Sequence, residues 1–143
     1  MISIALETMR DIHEKLQDIG YRITGLTAVN LYGYAIATNV LDIAVASDND
    51  VKNACERLSL PFNGEIDPFI YEGSDFLYRI QGDILGEPVT HASGLWLHDK
   101  NLLLKRLEIY SHYDPRILTA CAFIALTQTD TLAKKYKYYW NRL

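Results

Sequence analysis

The sequence predicts an α+β fold of the layered kind: a small mixed β-sheet with helices packed on it, plus a C-terminal helical cap. Three observations predict it. Apolar residues recur at steps of three and four over residues 2–19. A nearly continuous apolar run, VLDIAVA at residues 40–46, has the length of a buried strand. From residue 99 onward the chain returns to helical periodicity, which puts the late helices over one end of the sheet. The 143 residues suffice for one domain, since a chain of about 150 residues buries roughly two-thirds of its unfolded surface. Residues 1–98 are expected to form the α/β core, and residues 99–143 a helical segment packed on it within the same compact domain.

The elements follow in order. Residues 2–19 read as an amphipathic helix, with Ile2, Ala5, Met9, Ile12, Leu16 and Ile19 on one face and Gly20 as its stop. Residues 21–24 read as a short strand broken by Gly25, and residues 26–34 as a helix with Ala28, Leu31 and Tyr32 facing the core. After the apolar strand, Ser47, Asp48 and Asn49 offer N-cap chemistry for a helix to about Leu58. Residues 66–71 and 76–80 read as strands around the turn at 72–75. A loop spans residues 82–94, followed by a strand at 95–98. Asp99 caps a helix through Tyr110, with Leu102, Leu103, Ile109 and Tyr110 on one side and Lys105, Arg106 and Glu108 on another. Pro115 opens the next helix, to about Thr127, and Asp130 caps the last.

Composition excludes several functions. The chain is 49% hydrophobic and 22% charged, with a mean hydropathy of -0.05, too apolar for a disordered protein. No uninterrupted run of about 18 apolar residues exists, so no membrane span is expected. Glu7, Arg10 and Asp11 interrupt the apolar stretch that an export signal needs, and a cytoplasmic protein is expected. The net charge of -4 argues against a surface built throughout for nucleic acid. Cys55 and Cys121 have no C-x-x-C spacing and read as buried hydrophobes. His13, His91, His98 and His112 show no metal-ligand spacing. His98 beside Asp99, and His112 near Asp114, read as surface or capping residues.

One stretch carries chemistry. Residues 21–45 give a strand, the Gly25 turn, a short helix, Thr38 and then a buried strand holding Asp42. A carboxylate inside an apolar strand is costly unless it is paired or metal-bound.

The text ITGLTAVNLYGY followed by ATNVLDIAV, with IQGDI further on, resembles the nucleotidyltransferase superfamily (the DNA polymerase β-like fold) in its small prokaryotic forms. The resemblance covers roughly residues 2–84. It implies a Gly-Gly or Gly-Ser turn presenting backbone N–H groups to a phosphate, an Asp-x-Asp pair on the second strand and a third carboxylate on a later strand. In that family two Mg²⁺ ions held by carboxylates and nucleotide phosphates stabilise an in-line displacement.

This chain departs from the pattern in three places. Val40 stands where the first Asp of the pair belongs, leaving Asp42 as the remnant carboxylate and the one candidate metal ligand of the pair. Arg79 stands where the third carboxylate belongs; a shifted register would nominate Asp67 or Asp83 instead. The turn reads Gly25-Leu26, with Thr27 one place late. Valine cannot ligate a metal, whereas Arg79 can neutralise Asp42 or grip a phosphate bidentately without one.

The resemblance therefore implies a catalytically degenerate nucleotidyltransferase-like protein, requiring no cofactor and acting by binding. A nucleotide at Gly25, Leu26, Thr27 and Arg79 is one candidate ligand; a protein partner, a homodimer or an RNA are others. Small members of the family often work beside a helical partner in toxin–antitoxin pairs. The alternative is an active enzyme that uses Mg²⁺ and an NTP to move a nucleoside monophosphate to a protein, RNA or small molecule. Asp42 would then act with Asp67 or Asp83. The tail LAKKYKYYWNRL interleaves Lys134, Lys135, Lys137 and Arg142 with four aromatic residues. It reads as a terminal helix with cations at its negative dipole end, or as a basic aromatic patch for nucleic acid.

Overall fold

The computed structural model of the protein describes residues 5–62, 70–73, 76–110 and 115–127. The first helix, α1 (Leu6–Leu16), buries Ile12 and Leu16, two of the positions its apolar stripe marks. Gly20, at a φ of +85°, ends this segment and returns its N–H to the carbonyl of Leu16 at 3.1 Å. Strand β1 (Arg22–Ile23) and helix α2 (Gly25–Leu31) follow, then β2 (Val40–Val45) and α3 (Asp48–Arg57). Ser47 caps α3 by accepting a hydrogen bond from the N–H of Asp50 at 3.2 Å, and Asp48 and Asp50 occupy the favourable first turn.

Strands β3 (Ile70–Glu72), β4 (Leu77–Gly82), β5 (Val89–Thr90) and β6 (Trp96–Leu97) complete a six-stranded mixed sheet in the order β3-β4-β2-β1-β6-β5. β2 runs parallel to β4, which requires a crossover, and α3 lies in that connection. β1 is antiparallel to β2 and parallel to β6. Two helices, α4 (Lys100–Tyr110) and α5 (Pro115–Leu126), pack on each other and against α2. Asp99 accepts from the N–H of Leu102 at 2.9 Å, the cap its position predicts. The fold is α+β, with a small mixed sheet and helices packed on it, as the sequence predicts.

Three expectations are corrected. The loop at 82–94 contains β5, whose two residues are both exposed and so leave no apolar alternation to read. α4 buries Leu103, Leu104 and Leu107, while Ile109 is 63% exposed. The run of three leucines at 102–104 fits more than one helical face, and contact with α5 and α2 selects among them. His98 is fully buried, not a surface residue. It directly follows β6, whose place beside β1 carries the ring inward, where both nitrogens find partners. On α2, Thr27, Ala28 and Val29 are buried, and Leu31 and Tyr32 are half-buried against the same core. Cys55 and Cys121 are buried free thiols. The strand expected at 66–69, His112, Asp114 and the helix expected from Asp130 lie outside the described residues.

Candidate functional site

The site begins at the join between β1 and α2. Thr24 donates its N–H to the carbonyl of Asp42 at 3.0 Å, which ties the end of β1 to β2. Gly25 then turns the chain at a φ of +60°, a conformation that strains any residue with a Cβ. Space forbids a side chain here as well: a Cβ on Gly25 would stand 2.5 Å from Oδ2 of Asp42. Thr27 locks the arrangement from within α2. Its hydroxyl donates to the carbonyl of Val40 at 3.0 Å and accepts from the N–H of Asp42 at 3.1 Å. Both backbone groups of β2 are thereby satisfied beside the carboxylate.

The register of β2 against β4 sets the electrostatics. Asp42 lies directly opposite Arg79, and a Nη of Arg79 donates to Oδ1 at 3.2 Å. Strand alternation puts Val40 on the same face as Asp42, and Gln81 on the same face as Arg79. Asp42 is 4% exposed. Burial pushes its carboxyl up to about 6, against the opposing pull of the Arg79 and Arg106 guanidiniums. The Nε of Arg79 is buried and has no hydrogen-bond partner among the described residues.

α4 supplies a second guanidinium. Arg106 donates to Asp83 at 2.7 Å and also to the side-chain oxygen of Gln81, so two residues of the β4 end fix its head. Asp83 itself lies beyond the end of β4, its N–H bonded to the carbonyl of Val45 at 2.8 Å. Val45 is three residues along β2 from Asp42, which separates the two backbones by roughly 10 Å at 3.3 Å per residue. α5 brings Arg116, which donates to the carbonyl of Ala37 at 2.9 Å.

Together these residues enclose a cavity of about 460 Å³, within the range of small-molecule sites. Among the described residues its wall carries Arg79, Arg106 and Arg116 and one carboxylate, Asp42. Leu26, Leu107 and Ile117 form its apolar portion, and Gly25 and Val40 also line it. Of the residues singled out from sequence, Gly25, Leu26, Asp42 and Arg79 therefore meet at one cavity. Thr27 does not line it, because its hydroxyl is committed to β2. Asp83 reaches it only through Arg106, and Asp67 lies outside the described residues. Among the described residues, no group of three or more His, Cys, Asp or Glu side chains could hold a metal ion.

Sequence reasoning missed Arg106 and Arg116. Arg106 falls with Lys105 and Glu108 on the side of α4 opposite the leucines, and no spacing links α4 or α5 to β2.

No family model matches the chain, and no curated protein matches it by sequence. Two solved structures do match in three dimensions. One is a solution structure of the antibiotic-resistance factor ANT(2'')-Ia, with a TM-score of 0.66 and 12% identity over 94% of this chain and 88% of that one. The other is a crystal structure of ANT(2'')-Ia in complex with adenylyl-2''-tobramycin, with a TM-score of 0.63 and 9% identity over 94% of this chain and 93% of that one. Their agreement extends over nearly the whole of both chains. The protein has a nucleotidyltransferase-like fold. Among the described residues no helix is long and apolar enough to cross a membrane.

Proposed function

We propose that this nucleotidyltransferase-like fold works by binding a nucleotide in the Asp42 cleft, and that it has lost metal-dependent transfer. One observation carries the reading. The face of β2 and β4 that lines the cleft presents Val40, Asp42 and Arg79, and its single carboxylate is already ion-paired to Arg79. Two Mg²⁺ ions about 3.5–4 Å apart need several oxygen ligands converging from neighbouring positions. Valine offers none, and a guanidinium opposite Asp42 places positive charge where a cation would have to sit. The residues present do not fit a pair of metal ions.

The cleft suits an anion instead. Arginine presents planar, permanently charged forks that match phosphate oxygens. Three such groups line the cavity, with an apolar portion beside them. One structural neighbour was solved with adenylyl-2''-tobramycin, a ligand that contains a nucleotide portion, which is compatible with a nucleotide at this site. No observation favours the active transferase. A protein partner, a second copy or an RNA is not selected by any described surface, and the basic aromatic tail lies outside the described residues.

Thermal unfolding with adenine and guanine nucleotides, with and without Mg²⁺, tests the reading. A ligand of the native state raises the melting temperature by mass action. The expected result is a rise in chelator that added Mg²⁺ does not increase. A rise that requires Mg²⁺ and disappears in Asp42→Ala would overturn the metal-free reading.

A further inference from the structure

We propose that residues 83–85 form an acid-sensitive flap behind the cleft wall, closed by the neutral ring of His98 and opened when that ring takes up a proton, which frees Arg106 from Asp83. The device belongs to the protein itself and does not depend on what the cleft binds.

The flap has two fixed ends and one titratable peg. At its start, just beyond β4, the N–H of Asp83 donates to the carbonyl of Val45 at 2.8 Å. At its far end a Nη of Arg22 donates to the carbonyl of Gly86 at 2.5 Å, and an arginine keeps its charge at any pH of interest. Gly86 turns there at a φ of +62°, and a Cβ on it would stand 2.5 Å from a methyl of Leu102. Between these ends the flap is tied down by His98, whose Nε2 donates to the carbonyl of Ile84 at 2.9 Å. The Ile84 side chain is 71% exposed and adds little packing of its own.

The neutral ring fits this place and a charged one does not. His98 is fully buried. With Nε2 donating to Ile84, Nδ1 accepts from the Thr24 hydroxyl, 2.8 Å away. A proton on Nδ1 makes it a second donor, and the hydroxyl must then turn and send its own hydrogen elsewhere within a buried site. The new charge also has no carboxylate hydrogen-bonded to it. Asp83 and Asp99 favour the charged ring from nearby and Arg106 opposes it, but burial outweighs them and lowers the pKa from 6.5. Both acids are already engaged, Asp83 with Arg106 and the N–H of Ile84, Asp99 with the N–H of Leu102. From α2, Tyr32 donates its hydroxyl to the backbone carbonyl of His98 at 2.6 Å, and burial pushes this phenol up to about 12, so it stays neutral.

Lifting the flap lets water reach the ring without disturbing β1 and β6, which the sheet holds on both sides. The Ile84 peptide takes Asp83 with it. Oδ1 of Asp83 accepts from the N–H of Ile84 at 2.7 Å, and Oδ2 accepts from Arg106 at 2.7 Å. Opening therefore withdraws the ion-pair partner of Arg106 and leaves its head on Gln81. Arg106 lines the cleft beside Asp42, whereas His98 does not line it. A proton taken up outside the cavity thus changes the state of a cation inside it.

Proton–nitrogen NMR of the ligand-free full chain between about pH 7.5 and 4.5 tests this, following the His98 ring, the Ile84 amide and the Nε of Arg106. The expected result is one shared midpoint below 6.5, with at least a tenfold loss of exchange protection at Ile84 while the amides of β2 stay protected. Asp42→Asn removes the other carboxyl that titrates in this range and should leave that midpoint in place. His98→Gln keeps an N–H donor that cannot titrate, and its flap should stay closed throughout. Asp83→Asn, which alters a half-buried side chain, should uncouple Arg106 while Ile84 still responds. Ile84 and Arg106 signals that ignore the titration of His98 would overturn the proposal, as would a ring that stays neutral to pH 4.5. So would a flap that opens at the same pH in His98→Gln, an Arg106 that still follows His98 in Asp83→Asn, or loss of protection across β2 at the same midpoint.

Discussion

The carboxylate of Asp42 lies against the Cα of Gly25, so close that a methyl group there would stand 2.5 Å from Oδ2. A glycine of α2 and an aspartate of β2 thus fix each other's position. Gly25→Ala should destabilise the protein by about 2 kcal/mol or more, since a left-handed alanine alone costs roughly 1–2 kcal/mol and Asp42 must also move. Urea unfolding measures the loss. A variant as stable as the parent would mean that Asp42 is not packed against this turn.

Asp42 gives a pH signature whose sign follows from its burial. Its carboxyl is held up to about 6 in the folded protein, above the unfolded value near 3.9. The neutral form is therefore the one the fold favours. Its contribution is fully present below about pH 4 and is lost as pH rises through about 6. Asp42→Asn has no such titration, so its stability relative to the parent should improve between pH 4 and 7, by at most about 3 kcal/mol. Chemical unfolding of both proteins at several pH values tests this. A constant difference across that range contradicts it.

His98 should work in the opposite direction. Its Nε2 donates to the carbonyl of Ile84 at 2.9 Å, which leaves Nδ1, 2.8 Å from the Thr24 hydroxyl, as the acceptor in the neutral ring. Burial lowers its pKa from 6.5. The fold thus favours the uncharged ring, and stability from this group is lost as pH falls below about 6.5. Nitrogen-15 NMR should find the ring neutral, with the proton on Nε2, at pH 6.5. A ring mostly protonated at that pH would contradict the assignment.

Thr27 is expected to act on the fold through its hydroxyl alone. Thr27→Val keeps the shape but leaves the N–H of Asp42 and the carbonyl of Val40 without this partner. An unsatisfied buried group costs about 1–3 kcal/mol, so the variant should lose roughly that much. Thr27→Ser should stay close to the parent. Hydrogen exchange at the Asp42 amide reports the same bond, and equal protection in Thr27→Val would show that it contributes nothing.

The legible parts of the fold were those with strong local patterns. β2 stood out because VLDIAV is almost all apolar, and α1 because its stripe holds over three turns. Asp42 and Arg79 could both be picked as odd residues for strands, one as a buried acid and the other as a cation where an acid was sought. Their direct pairing is a matter of register between strands far apart in sequence, which only the crossover through α3 decides. β5 is two exposed residues stabilised by β6, with no pattern of its own. The polarity of His98 reads as a surface position, and its burial comes from β6 lying inside the sheet beside β1. Arg106 and Arg116 reach the cleft through the packing of α4, α5 and α2, and that packing depends on which of several leucine faces wins.

In the function proposed above, Asp42 is the ion-pair partner of Arg79 and does not hold a metal. Electron paramagnetic resonance of Mn²⁺ titrated with the full chain, alone and with AMP or ATP, tests it most directly. The account predicts that the protein leaves the free Mn²⁺ signal unchanged, apart from the ion that ATP itself binds. Saturable loss of that signal, restored by Asp42→Asn, would contradict it.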